Sequence, residues 1–189
     1  MRRKVQLSEV EGHWFFTADL HLDHDKIRTM GRGRPFSSVD EMNEALVENW
    51  NAKVTERDAV IVAGDLSYKR PDYWLSRLNG RKILVLGNHD HLNAKAKEQC
   101  EAICDLLDIS IRPDGPSITV CHYAMRVWSK SHYGSWMLHG HSHGALPGPE
   151  HHEAAMNWTA LTGVRSLDIG VDVHDYAPLS FSEVREFFN

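Results

Sequence analysis

KILVLGNHD (residues 82–90) decides how this chain folds. Four apolar residues, Ile83 to Leu86, run together and then stop at Gly87, Asn88, His89 and Asp90. A short continuous run of Ile, Leu and Val is the pattern of a strand covered on both faces. The polar cluster that ends it puts an amide oxygen, an imidazole and a carboxylate at a strand's carboxyl end. Four other segments share this form: WFFTADLH from Trp14, AVIVAGD from Ala59, SITVCH from Ser117 and WMLHGH from Trp136.

Helical patterns lie between these runs. In SSVDEMNEALVENW, Ser38 and Glu41 have capping-box spacing, and Val39, Met42, Leu46 and Trp50 share one side. RPDYWLSRLNG has Pro71 where a helix starts and Gly80 just beyond its end. SFSEVREFFN predicts a short helix after Ser180 or Ser182. Cys100, Ile103, Cys104 and Leu107 follow i, i+3, i+4, i+7, which predicts a helix burying two thiols rather than half a zinc site. Strands alternating with helices imply an α/β architecture.

With 189 residues, the expectation is one domain spanning 1–189. Its one irregular stretch, 148–164, is too polar for core and too long for a tight turn, and is expected to be a flap or an insertion. His151 and His152 within it read as solvated. A net charge of −5 argues against strong binding of duplex nucleic acid. No apolar signal region follows the basic start, and no run reaches the ~18 apolar residues of a spanning helix, so no membrane partner is expected. Three cysteines cannot all pair, which fits a reducing, cytoplasmic setting.

Chemistry gathers at the strand ends, where α/β sheets bind ligands. In order they carry Asp19 and His21; Asp65; Asn88, His89 and Asp90; His122; and His141 and His143. A strand-end aspartate is often a turn residue and a lone histidine often a structural one, but turn chemistry does not explain five such ends together. Two carboxylates, an amide oxygen and four imidazoles exceed the needs of one ion. They suit two divalent ions about 3.5–4 Å apart, sharing a carboxylate and a hydroxide. Nitrogen and oxygen donors without thiolate favour Mn, Fe, Zn, Co or Ni, with Mn preferred. The neutral Asn88 leaves net positive charge for an anion such as phosphate.

DLH (19–21), GD (64–65), GNHD (87–90), CH (121–122) and GHSH (140–143), in this order, resemble the five blocks of the calcineurin-like metallophosphoesterase superfamily. DLHLDH, RPF (34–36), NWN (49–51), LNGRK (78–82) and GVDVHDYAPLS (170–180) resemble its small bacterial and phage branch. The resemblance implies a four-layer α/β/β/α sandwich of two mixed sheets. It places Asp19, His21, Asp65 and His143 on one ion and Asp65, Asn88, His122 and His141 on the other, so that Asp65 bridges. His89 is then left to act on substrate. Where the branch pattern has Asn, this chain has Asp168.

The expected reaction is hydrolysis of a phosphoester, with a hydroxide between the ions attacking phosphorus and His89 protonating the leaving oxygen. The plainer reading makes His89 a brace for a ligand. His24, Arg34 and Asn88 are candidate substrate contacts, against solvated loop positions for His24 and Arg34. Asp90 and Asp172 each read equally as a brace or a turn residue. Tyr123 and Trp128 read as pocket floor or packing, and His139 as a support behind the ligands or a strand-packing residue. The substrate expected is a small phosphodiester or a nucleotide. A phosphomonoesterase or nuclease with the same core is the alternative, and a non-catalytic metal-binding interaction module is the alternative of another class.

Overall fold

The computed structural model describes residues 1–7, 13–31, 33–111, 115–146 and 165–188. The segment 148–164, with His151 and His152, lies outside them. The strands are β1 (Arg2–Leu7), β2 (Trp14–Thr17), β3 (Ala59–Val62), β4 (Arg81–Val85), β5 (Cys100–Cys104), β6 (Leu106–Ile111), β7 (Ser117–Val120), β8 (Trp136–His139), β9 (Ser166–Asp168) and β10 (Leu179–Ser180). They form two mixed five-stranded sheets, ordered β10-β2-β3-β4-β5 and β1-β6-β7-β8-β9. All five strands foreseen from the apolar runs are present, in the expected α/β sandwich of two stacked sheets with helices.

Alternation along the strands explains the stacking. Phe16, Ile61 and Ile83 join Leu107, Ile109, Ile118, Val120 and Leu138 in the core between the sheets. Phe15, Val60, Val62 and Leu84 face the other way and pack on helices α1 (Val39–Lys53) and α2 (Pro71–Arg77) through Met42, Leu46, Trp50, Trp74 and Leu75. A strand buried on both faces has no polar position to spare, hence the unbroken apolar runs.

Helix starts follow their signals. Ser38 Oγ accepts from Glu41 N at 3.1 Å, but the Glu41 carboxylate returns to Ser37 N at 2.7 Å rather than to Ser38. Pro71 occupies the first turn of α2. The C-terminal helix α4 (Phe181–Glu186) carries a complete Ser180–Glu183 capping box.

The cysteine-bearing helix is not what forms. Helix α3 spans only Ala94–Glu98, and Cys100–Cys104 is strand β5, parallel to β4. Leu107 belongs to the next strand, β6. Apolar positions four apart lie on one side of a strand as well as of a helix, and pairing with β4 satisfies the backbone groups that β4 would otherwise expose. Cys104 is buried as expected, and all three cysteines are free.

Parallel register brings the strand ends level. Thr17 pairs with Val62 and Val62 with Leu84, so the segments leaving β2, β3 and β4 emerge from one edge. In the second sheet Val120 pairs with Leu138, which aligns the exits of β7 and β8.

Candidate metal centre

Five of the seven candidate ligands lie in left-handed backbone: Asp19 (φ 58°), His21 (53°), Asp65 (56°), His141 (67°) and His143 (46°). Residues other than glycine rarely take this conformation, and holding one there costs about 1–3 kcal/mol. The turn swings each side chain off its strand end into a common cleft. Glycines make room: a Cβ on Gly64 would strike His122 Nδ1, and one on Gly87 would strike Asp65 Oδ1. On Gly140 it would lie 2.6 Å from Asp19 Oδ2.

Asp65 stands at the centre. Its Oδ2 lies 3.4 Å from His21 Nε2 and 3.5 Å from His122 Nε2, while Oδ1 accepts from His89 N at 2.9 Å. His122 Nε2 is also 3.0 Å from Asn88 Oδ1. On its far side, His122 Nδ1 donates to the Ala63 carbonyl at 2.8 Å, which turns the Nε2 lone pair toward Asp65 and Asn88. His143 Nδ1 is held by Asp172 Oδ2 at 2.6 Å, leaving Nε2 as the donor atom. Asp19 accepts from His141 N at 2.8 Å through Oδ2. Its Oδ1 and His21 Nε2 are buried without a hydrogen-bond partner.

This arrangement fits divalent metal. Carboxylate, amide and imidazole atoms meeting at 3.0–3.5 Å are the donor set that a divalent cation takes. Ligand atoms of Asp19, His21 and His143 lie within 4.8 Å of one another, as do those of Asp19, Asp65 and His122. Burial and the nearby carboxylates push the Asp19 carboxyl well above its ordinary range, despite the opposing His143. Burial and the charge of His143 push His21 down to about 2, which keeps its imidazole neutral. Burial likewise lowers His141, whose ring meets His122 edge-on at 5.0 Å.

Around the ligands runs a set of braces. Asp90 accepts from the backbone of Asp65 (2.9 Å), Leu66 (2.9 Å) and Gly87 (2.8 Å), tying two ligand turns together. Asp168 accepts from Gly144 N at 3.0 Å and Gly170 N at 2.8 Å, so it holds the turn after His143 with a carboxylate where the branch pattern has an amide. Burial raises Asp172, but the His143 hydrogen bond and the Arg34 charge outweigh it and hold its carboxyl at about 2.

Arg34 is neither the substrate clamp nor the solvated residue its loop suggests. It is buried, and its guanidinium donates to Asp172 twice (both 2.8 Å), to Leu20 O (2.8 Å), to Asp19 O (2.7 Å) and to Met42 Sδ (3.6 Å). All five N–H donors are engaged, so none remains for phosphate.

His24 stands at the cleft edge, its Nδ1 3.2 Å from His21 Nδ1 and its ring stacked on Tyr68 at 4.6 Å. His89 lies beside both imidazoles, with ring centroids 5.5 Å from His21 and 5.7 Å from His24. Tyr123 is exposed and packs on His141 at 4.7 Å, whereas Trp128 is buried and donates to Ser135 Oγ at 3.0 Å. His139 is buried on β8, its Nδ1 3.2 Å from the Gly140 carbonyl oxygen. Sequence reasoning missed Asp23, which pins the turn between His21 and His24. It takes bonds from Asn43 Nδ2 (3.1 Å), Trp74 Nε1 (2.8 Å) and Arg70 Nη2 (2.7 Å). The second carboxylate in DLHLDH was its one signal.

A buried Asp/His cluster at the strand ends of a two-sheet α/β sandwich defines the class. Residues 15–173 match the family model for calcineurin-like phosphoesterase, and the chain belongs to that family. It is 28% identical over 173 residues to the uncharacterized protein MJ1445 of Methanocaldococcus jannaschii, covering 88% of this chain and 85% of that one. The Gene 66 protein of Mycobacterium phage D29 is 26% identical over 205 residues, covering 93% and 95%. In fold the chain is similar to the crystal structure of a protein of unknown function, AQ665 from Aquifex aeolicus. That match has a TM-score of 0.70 at 22% identity and covers 93% of this chain and 98% of the other. Among the described residues no helix is long and apolar enough to cross a membrane.

Proposed function

We propose that the protein is a dinuclear metal-dependent phosphodiesterase acting on small phosphoesters or nucleotides. The observation that carries this reading is the convergence of His21, His122 and Asn88 donor atoms on Asp65 beside the unpartnered Asp19 oxygen. Asp19, His21, Asp65 and His143 would hold one ion, and Asp65, Asn88, His122 and His141 the other. When bound, the pair supplies Lewis acidity toward water and toward the phosphoryl oxygens. The mixed nitrogen and oxygen donor set suits Mn, Fe, Zn, Co or Ni, of which we take Mn as the expected ion.

The remaining roles belong to the chain. His89, anchored by its backbone N–H to Asp65 and turned toward the cleft beside His21 and His24, protonates the leaving oxygen. Asn88 contributes a neutral oxygen and so leaves the site positive for an anionic substrate. His24 reaches the cleft beside His89 and contacts the substrate. Asp172 and Arg34 fix His143, and Asp90 fixes the turns bearing Asp65 and Asn88. The three free cysteines suit a reducing, cytoplasmic setting.

The test is metal analysis of the protein as purified, joined to a panel of nucleotide, cyclic-nucleotide and aryl mono- and diesters. Two metals per chain with preferential diester hydrolysis is the expected result. Fewer than two metals at saturation, with no ester hydrolysed, overturns it. Two metals with no hydrolysis would point instead to a non-catalytic module.

A further inference from the structure

Three aromatic rings meet where strands β7 and β8 end. Cys121 N donates to Leu138 O at 3.2 Å and Gly140 N to His122 O at 3.0 Å, which fixes the two strand exits side by side. Tyr123 is the next residue beyond this pairing. Its ring meets His122 edge-on at 5.0 Å (71°) and His141 edge-on at 4.7 Å (66°). His122 and His141 meet each other at 5.0 Å and 69°. Each pair is thus in the edge-to-face arrangement that aromatic rings prefer at ~4.5–7 Å.

The phenol reaches a third ligand. Tyr123 Oη stands 3.4 Å from Asn88 Oδ1, a long hydrogen bond from hydroxyl to amide oxygen. That oxygen has two lone pairs, so it can accept from the phenol on one and face an ion with the other. Tyr123 therefore touches Asn88, His122 and His141, three of the four side chains assigned to one ion. Among the described residues, its ring pairs and hydrogen bond do not extend to Asp19, His21 or His143. His143 has its own support in Asp172, which Arg34 holds in turn. Tyr123 is 48% exposed, so burial in the core does not account for its place.

We propose that Tyr123 is a positioning residue for the ion held by Asp65, Asn88, His122 and His141, and that it sets the affinity of that ion separately from the other. Its ring restricts both imidazoles, so less order must be imposed when an ion binds. Its phenol holds the Asn88 amide with the oxygen toward His122. The proposal rests on the dinuclear reading of the centre.

The test is equilibrium dialysis of metal-free protein against buffered Mn²⁺, with bound manganese counted by mass spectrometry. The unaltered protein should take up two ions. Tyr123→Ala should weaken one of these two steps by ~10–100-fold and leave the other within about twofold. Tyr123→Phe, which keeps the ring, should lose less than Tyr123→Ala. Asp172→Asn should weaken the step that Tyr123→Ala spares, so the double variant should bind both ions weakly. An unchanged isotherm in Tyr123→Ala, equal weakening of both steps, or a double variant no weaker than Tyr123→Ala overturns the positioning role. Tyr123→Phe matching the unaltered protein overturns the part given to the phenol. Uptake of fewer than two ions by the unaltered protein overturns the dinuclear reading, and this proposal with it.

Discussion

Replacing Arg34 by Met should destabilise the fold more than any other single change outside the hydrophobic core. The guanidinium side chain is 1% exposed and its partner Asp172 is 15% exposed. Its removal leaves the buried Asp172 carboxylate with His143 alone and the carbonyls of Asp19 and Leu20 without donors. Breaking a buried pair in this way costs about 3–5 kcal/mol. At about 2–4 °C per kcal/mol for a chain of this size, the midpoint of thermal unfolding should fall by about 6–20 °C. Unfolding is followed by circular dichroism in chelator, so that loss of metal does not contribute. Arg34→Lys should recover only part of the loss, since an ammonium cannot span Asp172 and two carbonyls at once. In an Arg34→Met, Asp172→Asn double variant, the second change should cost less than it does alone, because the carboxylate it removes has already lost the guanidinium. A fall of under about 3 °C in Arg34→Met, or strict additivity in the double variant, would refute the buried-brace account.

His89→Asn should keep two metals per chain, measured by mass spectrometry, and lower turnover of an ester with a poor leaving group by at least ~100-fold; an unchanged rate would remove the acid role. Asp172→Asn should weaken metal binding about 10–100-fold in competition with a chromogenic chelator, because His143 loses the acceptor that orients it. Gly64→Ala should lose metal at His122, since the added carbon meets that ring at Nδ1. Asp58 governs part of the acid limb of stability. Burial raises its carboxyl, but bonds from His13 N, Thr55 N and Thr55 Oγ1, each 2.7 Å, outweigh this and hold it below the ordinary value. Its contribution is therefore complete above about pH 4 and lost as the pH falls toward the folded-state value. Asp58→Asn should be less stable at pH 7 in urea and should flatten the loss as the pH falls below about 4.

The candidate ligands were legible because each sits at the end of an apolar run, and a strand buried on both faces leaves its polar residues nowhere else to go. Asp19, Asp65, Asn88 and His122 could be picked out one strand at a time. Arg34 could not: whether an arginine in GRGRPF meets solvent, phosphate or a carboxylate far along the chain depends on what the fold sets beside it. The same holds for Asp23, whose partners Asn43 and Trp74 lie on two helices and Arg70 just before the second.

Local pattern alone determined where the strands run, which residues end them, and that nitrogen and oxygen donors outnumber what one ion requires. It misjudged Cys100–Cys104, where apolar spacing fits helix and strand equally and only pairing with β4 decides between them. Tertiary structure decided which residues serve as braces, which tautomer His122 and His143 present, and that a cleft of about 440 Å³ adjoins the cluster. Periodicity is a property of neighbours along a chain. Hydrogen-bond partners, burial and cavity shape arise only when strands distant in sequence lie side by side.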